Sequence, residues 1–371
     1  MRSIKIYLKV LLNYIKALPS YFLTRKSSEG DKGLIIFNFR QIDRDRNYAQ
    51  FAYFFDRYGY QIIMVHHPLL IGNMPIYSRY ILSLPNLLLR FSLPENKRAI
   101  YFFDTISDRT DKYHKSIYVS DDIYGDSFRI DNLSPYPMIP RLYFEGMTDE
   151  IYQLRETKKN HRLFFSGNQK RGIYDSTEFC SFFKKLNRIM IVEALKANLS
   201  NSQLEIVEDI GQYTDQEFEN KMILQIWERQ SLKSNKIKGR ISNEEWLNNL
   251  AKTDFFLACP GYVQPVCHNQ IEAMSLGVIL ILEHPEYFNP PLEHMKNCVV
   301  FSGQDDMIDK VKMVFNLDVN TISKMSHEVI SYYEQFLSAS SFCKYIEDLP
   351  HGKNQLFIIT DAYFHKKLMP F

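Results

Sequence analysis

Short apolar runs alternate with amphipathic segments along most of the chain. The run LIIFNF at 34–39 is followed by a polar loop, by aromatic residues at helical spacing and by a second apolar run at 61–65. A strand, a helix and a strand within about thirty residues predict a βαβ unit with parallel strands. The runs RAIYFFD at 98–104 and KSIYVSDD at 115–122 repeat this form and end in aspartate. The carboxyl ends of such strands usually form the ligand crevice.

The pattern starts again after a proline-rich stretch, PYPMIP at 135–140, through which neither a helix nor a central strand can run. The segment RLFFSGN at 162–168 predicts a first strand, and a helix through about residue 198 follows it. Ser242 and Glu245 form a capping box before a further helix. The other predicted elements are strands at 203–209, 254–261, 278–282 and 297–303 and helices at 268–276 and 307–315.

Two successive α/β patterns, each with its own first strand, predict an α/β chain with two Rossmann-like domains. The changes of pattern place a first domain at 27–155 and a second at 156–330. A basic amphipathic helix at 1–26 precedes them, and C-terminal helices at 331–371 follow.

The N-terminal segment combines apolar and basic residues at helical spacing. Its cationic and polar positions fall on one narrow stripe, formed by Arg2, Lys5, Lys9, Asn13 and Lys16. This pattern is typical of a helix that lies on an anionic membrane surface, through residues 2–16. It equally fits a helix that packs on its own domain, and both interpretations stay open.

Composition narrows the class of protein. The 45 Lys and Arg residues nearly balance the 43 Asp and Glu residues, so no overall field attracts nucleic acid. The 5 cysteines are odd in number and widely spaced, which favours a reducing compartment and a cytoplasmic location over a disulfide framework. No apolar run reaches the roughly 18 to 20 uncharged residues of a membrane-spanning helix. The expected location is therefore cytoplasmic, and if the N-terminal helix lies on a membrane, the contact is peripheral and on its inner face.

The segment 242–303 carries the most specific pattern. A strand breaks at Cys-Pro-Gly, a polar loop leads into a helix with Glu272, Ala273, Met274 and Gly277, and an apolar strand follows. This arrangement resembles the nucleotide-sugar domain of GT-B glycosyltransferases, including exostosin-like and bacterial surface-polysaccharide members. The resemblance implies two Rossmann-like domains that face each other across a cleft, an acceptor domain followed by a donor domain. It also implies C-terminal helices that pack back on the domain junction.

The residues of this segment suit a diphosphate. Gly261 permits close approach of the backbone, and the helix that begins at His268 and Asn269 offers free N–H groups and a partial positive charge. The resemblance implies that Glu272 accepts hydrogen bonds from hydroxyls of the donor. The alternative for Glu272 is an acid that complements the helix dipole. A second acidic residue that retaining members carry eight positions earlier is Gln264 here, which leaves the stereochemical outcome open and favours inversion.

Basic residues near other strand ends are further donor-site candidates. Gly167, Asn168 and Arg171 follow the first strand of the second domain, and Arg240 precedes the capped helix. Their charges would stabilise the departing diphosphate without a metal ion, so no metal and no other cofactor is expected. Each cation could also be an ordinary solvated surface residue.

An inverting transfer needs a base in the first domain that takes the proton of the acceptor hydroxyl. Asp43 is the first candidate because it lies in the loop after the first strand, among Arg40, Arg44 and Arg46. These arginines could instead hold an anionic acceptor. The other candidates for the base are His66, His67, Asp104, Asp121 and Asp122.

The expected function is transfer of a sugar from a nucleotide-sugar to a glycan, a lipid-linked glycan or a lipopolysaccharide. Two alternatives remain. A GT-B nucleotide-sugar epimerase would use the same donor site, and a catalytically silent GT-B scaffold of a membrane synthase complex would account for Gln264 and the basic N-terminus.

Overall fold

The computed structural model describes residues 11–12, 15, 32–65, 76–105, 110–207, 218–227 and 241–368. The chain forms two compact units, Met1–Phe144 with Ser338–Ala362 and Glu145–Leu337 with Tyr363–Phe371. Within the first 31 residues only Leu11, Leu12 and Ile15 are described, and they are helical and exposed. The predicted membrane contact of residues 2–16 lies otherwise outside the described residues. Within the described part of the chain, no helix is long and apolar enough to cross a membrane.

The first unit is built on a six-stranded parallel sheet with the order β3-β2-β1-β4-β5-β12. Its strands are β1 Gly33–Asn38, β2 Tyr60–Val65, β3 Leu87–Arg90, β4 Ile100–Phe103, β5 Lys115–Ser120 and β12 Gly352–Phe357. Its helices are α1 Asp45–Arg57, α2 Ile76–Ile81, α3 Pro140–Phe144 and α12 Ala339–Asp348. The central strands are continuous apolar runs because helices and loops cover both faces of a parallel sheet.

Aromatic packing explains why the chain returns to the first unit near its C-terminus. The α1 side chains Phe51 and Phe55 pack on Phe102 of β4. Phe342 of α12 stacks on Phe51 with ring centroids 5.0 Å apart. The strand β12 then pairs with β5 at the sheet edge. The sequence predicts only helices at 331–371 and misses β12, because its first four residues are polar or glycine. It is the edge strand of the sheet, and its outer side forms an isolated bridge from Phe357 to Leu133.

The second unit contains a parallel sheet with the order β7-β8-β6-β9-β10-β11. Its strands are β6 His161–Asn168, β7 Leu204–Val207, β8 Phe218–Trp227, β9 Thr253–Leu257, β10 Ile279–Leu282 and β11 Cys298–Val300. Its helices are α4 Ile151–Leu154, α5 Arg171–Tyr174, α6 Thr177–Phe183, α7 Arg188–Asn198, α8 Asn243–Ala251, α9 His268–Ser275, α10 Gly303–Phe315, α11 Val319–Tyr332 and α13 Asp361–Leu368. A single π-helical turn, Tyr333–Leu337, follows α11.

These two parallel sheets confirm the predicted pair of Rossmann-like units, which is the layout of the GT-B class. In the first unit the strand order is that of the Rossmann fold, whereas in the second unit β8 lies between β6 and β7. The structure divides the chain after Phe144, where the sequence pattern placed the change between 155 and 156. In the second unit the order reverses at β6, between β8 and β9. Ligands of open α/β sheets bind at this switch point, outside the carboxyl ends of the strands.

A substitution at Gly277, the residue that ends the helical segment after α9, tests the packing of the second unit. It has a φ of +73°, and an added Cβ would lie 2.8 Å from Ser326 Oγ and 2.9 Å from Ile330 Cδ1. Gly303 has nearly the same φ, +75°, but open space around the Cβ position. We expect Gly303→Ala to lower the free energy of unfolding by about 1 kcal/mol and Gly277→Ala by roughly 2–4 kcal/mol, since overpacking adds to backbone strain. Urea denaturation measures both, and equal losses would contradict the packing of α11 on Gly277.

Candidate functional site

Buried polar side chains cluster at the carboxyl-end edge of the second sheet. The strand β10 is wholly apolar, and all four of its residues are fully buried. The end of β6 and the segments beyond the strands contain the buried polar residues Asn168, Gln169, Arg188, Gln264, Asn269, Gln270, Glu272, Glu283 and His284. Buried polar groups need partners, so their concentration at one edge marks this edge as the candidate site.

Arg188, in the first turn of α7, joins the two sides of the switch point. Its Nε and Nη2 donate to the carbonyl oxygen of Pro260 at 3.1 and 2.8 Å, and its Nη1 donates to that of Asn168 at 3.3 Å. The guanidinium also lies 3.9 Å from the centroid of the Tyr174 ring. It is only 6% exposed, and the described residues place no carboxylate in ion-pair contact with it. The crevice therefore holds a buried positive charge.

Glu272 is enclosed by protein partners. Its side chain is fully buried, its Oε2 accepts a hydrogen bond from Trp246 Nε1 at 2.6 Å, and its Oε1 lies 2.9 Å from His268 Nδ1. Because a carboxylate only accepts, the imidazole donates from Nδ1, and its Nε2 is the second ring nitrogen. The His268 side chain is 32% exposed. The arrangement therefore orients an imidazole at the amino end of α9.

Gly261 and Gly167, the two glycines of the predicted donor site, are closely packed against other atoms of the second unit. A Cβ on Gly261 would lie 2.9 Å from the carbonyl oxygen of Gln264 and 3.1 Å from Cys267 Sγ. A Cβ on Gly167 would lie 2.5 Å from the ring of Phe165. These glycines therefore allow the tight loop after β9 and the packing at the end of β6. Whether the backbone of either glycine also approaches a ligand stays a prediction.

Asn168 and Asn269 are both buried at the edge. The Oδ1 of Asn168 accepts a hydrogen bond from the backbone N–H of Lys170 at 3.1 Å, which turns the chain after β6. Asn269, in the first turn of α9, is 8% exposed, and its Oδ1 has no donor among the described residues. An acceptor of this kind is suited to a hydroxyl or amide of a ligand.

Arg171 lies on the surface at the start of α5. Its side chain is 60% exposed, forms an ion pair with Asp175 at 3.1 Å and also pairs with Glu193. It lines a pocket of about 260 Å³ together with Gln169, Lys196 and Trp227. The structure thus brings Arg171 to the same edge as Arg188 but pairs it with acids. Arg240 lies outside the described residues.

Glu283 and His284 directly follow β10 and lie at the same carboxyl-end edge of the second sheet. Glu283 accepts hydrogen bonds from the backbone N–H groups of Leu186 at 2.7 Å and of Gly303 at 2.8 Å, so it ties the start of α10 to the loop before α7. His284 Nε2 lies 3.3 Å from Gln270 Oε1. Sequence reasoning missed both residues and Arg188. For Glu283 and His284 a signal was present, since two polar residues directly follow a strand of four apolar residues.

In the first unit two of the candidate bases, Asp104 and Asp121, are engaged in structural contacts. Asp104 accepts hydrogen bonds from the backbone N–H groups of Arg40 and Gln41, at 2.7–2.9 Å, and from Tyr48 Oη at 2.7 Å. Asp121 forms an ion pair with Arg44 at 2.7 Å and accepts from Thr360.

Asp43 lies in a short 3-10 turn after β1 with an exposed side chain. Asp122 is exposed as well, and His66 and His67 lie outside the described residues. The carboxyl-end edge of the first sheet therefore presents both Asp43 and Asp122 to solvent, and the role of Asp43 as base stays a prediction. Over the described ranges, no group of three or more His, Cys, Asp or Glu side chains is placed to hold a metal ion.

No protein-family model and no curated protein matches the chain. Among solved structures, it is similar to a glycosyltransferase from Rickettsia africae, at 9% identity over 91% of this chain and 98% of that one, with a TM-score of 0.45. It is also similar to HepE from Anabaena in complex with UDP, at 10% identity over 85% and 98% of the chains, with a TM-score of 0.48. WaaG, a glycosyltransferase involved in lipopolysaccharide biosynthesis, matches at 10% identity over 85% and 98% of the chains, with a TM-score of 0.35. Resemblance at this level concerns the course of the chain and does not identify the residues that act.

His284 makes the stability of this edge depend on pH. Burial lowers the pKa of His284 to about 3, whereas an exposed histidine titrates near 6.5. The unfolded chain therefore binds a proton below pH 6.5 that the folded chain excludes, so stability that is present above pH 6.5 is lost as the pH falls towards 3. When the pH falls from 7 to 5, this residue therefore lowers the free energy of unfolding of the wild-type protein by about 2 kcal/mol.

Urea denaturation at pH 7 and pH 5 measures this loss. Between the two pH values, we expect the free energy of unfolding of His284→Gln to fall by about 2 kcal/mol less than that of the wild type. His327→Gln is the matched control, because the side chain of His327 is exposed. The same dependence in His284→Gln as in the wild type would show that His284 does not exclude the proton.

Proposed function

We propose that this protein is a glycosyltransferase that transfers a sugar from a nucleotide-sugar to a glycan or lipid-linked glycan acceptor. The observation that carries the proposal is the buried guanidinium of Arg188 at the switch point of the second sheet, where it contacts carbonyl oxygens on both sides of the crevice. A buried cation that protein carboxylates do not neutralise attracts an anionic ligand strongly, because the local dielectric is low. The layout of two Rossmann-like units and the helix pattern around Glu272 support a nucleotide-sugar as that ligand.

The crevice is suited to the departing diphosphate. When the bond between the sugar carbon and the phosphate oxygen breaks, negative charge develops on the nucleoside diphosphate. Arg188 and the amino end of α9 supply positive potential at this position, and the imidazole of His268 lies on the same helix turn. These groups provide charge stabilisation from the protein itself, so we propose a reaction that needs no metal ion. The oxygen of Asn269 is available to a donor hydroxyl.

Glu272 acts in this proposal as a positioning residue. Both of its carboxylate oxygens contact protein groups, and its side chain is fully buried. It fixes the tautomer of His268 and turns the Nε2 of the ring away from the carboxylate. Direct hydrogen bonds from Glu272 to donor hydroxyls would require the loss of the contact to Trp246 or to His268.

The acceptor side of the proposal rests on the first unit. We propose Asp43 as the base that accepts the proton of the attacking hydroxyl, since its carboxylate is exposed just after β1. A surface-polysaccharide or lipopolysaccharide acceptor, a cytoplasmic location and contact of residues 2–16 with an anionic membrane follow from the sequence pattern and the family resemblance alone.

Calorimetric titration with UDP, GDP and CMP, with and without EDTA, tests the donor site. We expect one nucleotide class to bind in the presence of EDTA. Arg188→Lys keeps the charge but cannot bridge both carbonyl groups, so it should weaken binding about tenfold or more, equivalent to at least about 1.4 kcal/mol. Arg129→Lys, at an exposed arginine of the other unit, is the control and should bind as the wild type does. Absence of binding by every nucleotide class would contradict the transferase and leave the catalytically silent scaffold.

The role of Glu272 is tested by a cycle of variants in the same titration. If Glu272 acts through His268, the double variant Glu272→Gln with His268→Gln binds the nucleotide no more weakly than His268→Gln alone, because the two losses are not additive. Additive losses would instead assign Glu272 a contact of its own with the donor. The melting temperature of each variant separates loss of folding from loss of binding, and His268→Gln is the safer variant because its side chain is partly exposed.

A further inference from the structure

A second pocket lies at the opposite edge of the second sheet, at the amino ends of its strands. It has a volume of about 340 Å³, which falls within the range of small-molecule sites, about 300–1,000 Å³. Its walls come from the segment before and at the start of β6, from the start of β9 and from α11. The proposed donor site lies at the other end of β6, about 23 Å away along the strand. The pocket is therefore separate from the donor site.

Cationic groups exceed acidic groups in this pocket. Lys159 and Arg162 line it together with one carboxylate, Asp254, which forms an ion pair with Arg162 at 3.1 Å. The Lys159 ammonium is within hydrogen-bond distance of one acceptor in the described part of the chain, the carbonyl oxygen of Ala251 at 2.8 Å. Two of its three N–H bonds thus remain for a ligand. The balance of charges favours an anion.

The α11 wall offers hydroxyl-binding and apolar groups. His327 Nδ1 lies 2.7 Å from the carbonyl oxygen of Ser323, so Nδ1 donates and Nε2 of the neutral ring is an acceptor. Both residues are exposed and line the pocket. Val319, 75% exposed, and Ile322 add an apolar surface to the same wall. This wall suits a carbon skeleton that carries hydroxyl groups.

We propose that this pocket binds a small phosphorylated polyol, with its phosphate at Lys159 and its hydroxyl groups at His327 and Ser323. The phosphate gains charge-assisted hydrogen bonds from an ammonium that protein atoms only partly occupy. The volume of the pocket exceeds that of a phosphate ion. The remaining space, beside α11, holds the carbon skeleton and the hydroxyl groups of the ligand. The site is independent of the proposed transfer reaction and stands whether or not the crevice at the other edge binds a nucleotide.

The titration of Lys159 gives this binding a pH dependence. Burial lowers the pKa of Lys159 to about 8, and the charge of Asp254 opposes that shift. The other groups around the pocket are His161 and Arg162 of β6 and His327 of α11. Burial lowers the pKa of His161 to about 4, so this imidazole is neutral near pH 7. Lys159 therefore loses its charge as the pH rises through about 8, and the affinity for the ligand falls.

Calorimetric titration of the full chain with glycerol 3-phosphate tests the site, and inorganic phosphate and glycerol serve as separate probes. We expect glycerol 3-phosphate to bind more tightly than either probe and to bind about tenfold or more weakly at pH 9.5 than at pH 7. Lys159→Met should reduce its affinity about tenfold or more, since hydrogen bonds to charged groups contribute strongly. Lys158→Met removes the same charge one position away, at an exposed residue that does not line the pocket, and should leave binding unchanged.

Three results would overturn the proposal. One is the absence of binding at millimolar glycerol 3-phosphate, and another is equal affinity for inorganic phosphate, which would remove the role of the hydroxyl groups. The third is unchanged affinity in Lys159→Met. If Lys159→Met fails to fold, His327→Phe and the pH profile of the wild-type protein carry the test, because His327 lies on the exposed wall. Wild-type affinity in His327→Phe, or a flat profile from pH 7 to 9.5, would then contradict the site.

Discussion

Parallel pairing of the described strands is the constraint on which this molecule depends. A parallel sheet is covered on both faces, so its central strands are largely apolar, as β10 shows with four fully buried residues. Most polar side chains of such a sheet then lie at the two edges where strands begin and end, and the buried pair of Ser166 and Gln225 is an exception inside the sheet. Consecutive parallel strands also require crossover connections, which carry every loop after a strand to the same edge. The position of the candidate donor site follows from this connectivity before any individual side chain is considered.

At that edge the same residues stabilise the fold and form the site. Arg188 links the loops after β6 and β9, Glu283 links α10 to the loop before α7, and Glu272 links α8 to α9. Each replaces water around a buried polar group with protein partners. Substitution of any of them changes stability together with ligand binding, so loss of activity alone does not identify a residue that contacts substrate. Non-additive pairs of variants and exposed partners such as His268 separate the two effects.

Local patterns predicted the parts of this fold that depend on local interactions. The apolar runs of β1, β6 and β10 and the helix closed by Gly277 were all evident in the sequence, because burial and helix ends leave periodic or punctuating residues. Strand β12 and Arg188 were missed for a different reason. The first joins a sheet whose other strands end more than two hundred residues earlier, and the second contacts carbonyl groups 20 and 72 positions away. Nothing within the RIMIVEAL segment distinguishes Arg188 from a surface arginine at a helix start.

The neutral side chain of Gln264 has a physical consequence for the proposed donor site. Gln264 is 1% exposed, and the carbonyl oxygen of the same residue accepts from the backbone of Gly261, so this side chain lies within the loop beside the switch point. A carboxylate at this position would be a second buried negative charge, in the loop whose Pro260 carbonyl binds Arg188, and would reduce the attraction of this edge for a diphosphate. Glu272 does not have this effect to the same extent, because its charge is bound by Trp246 and His268. The neutral amide therefore preserves the positive potential on which the proposed departure of the diphosphate depends.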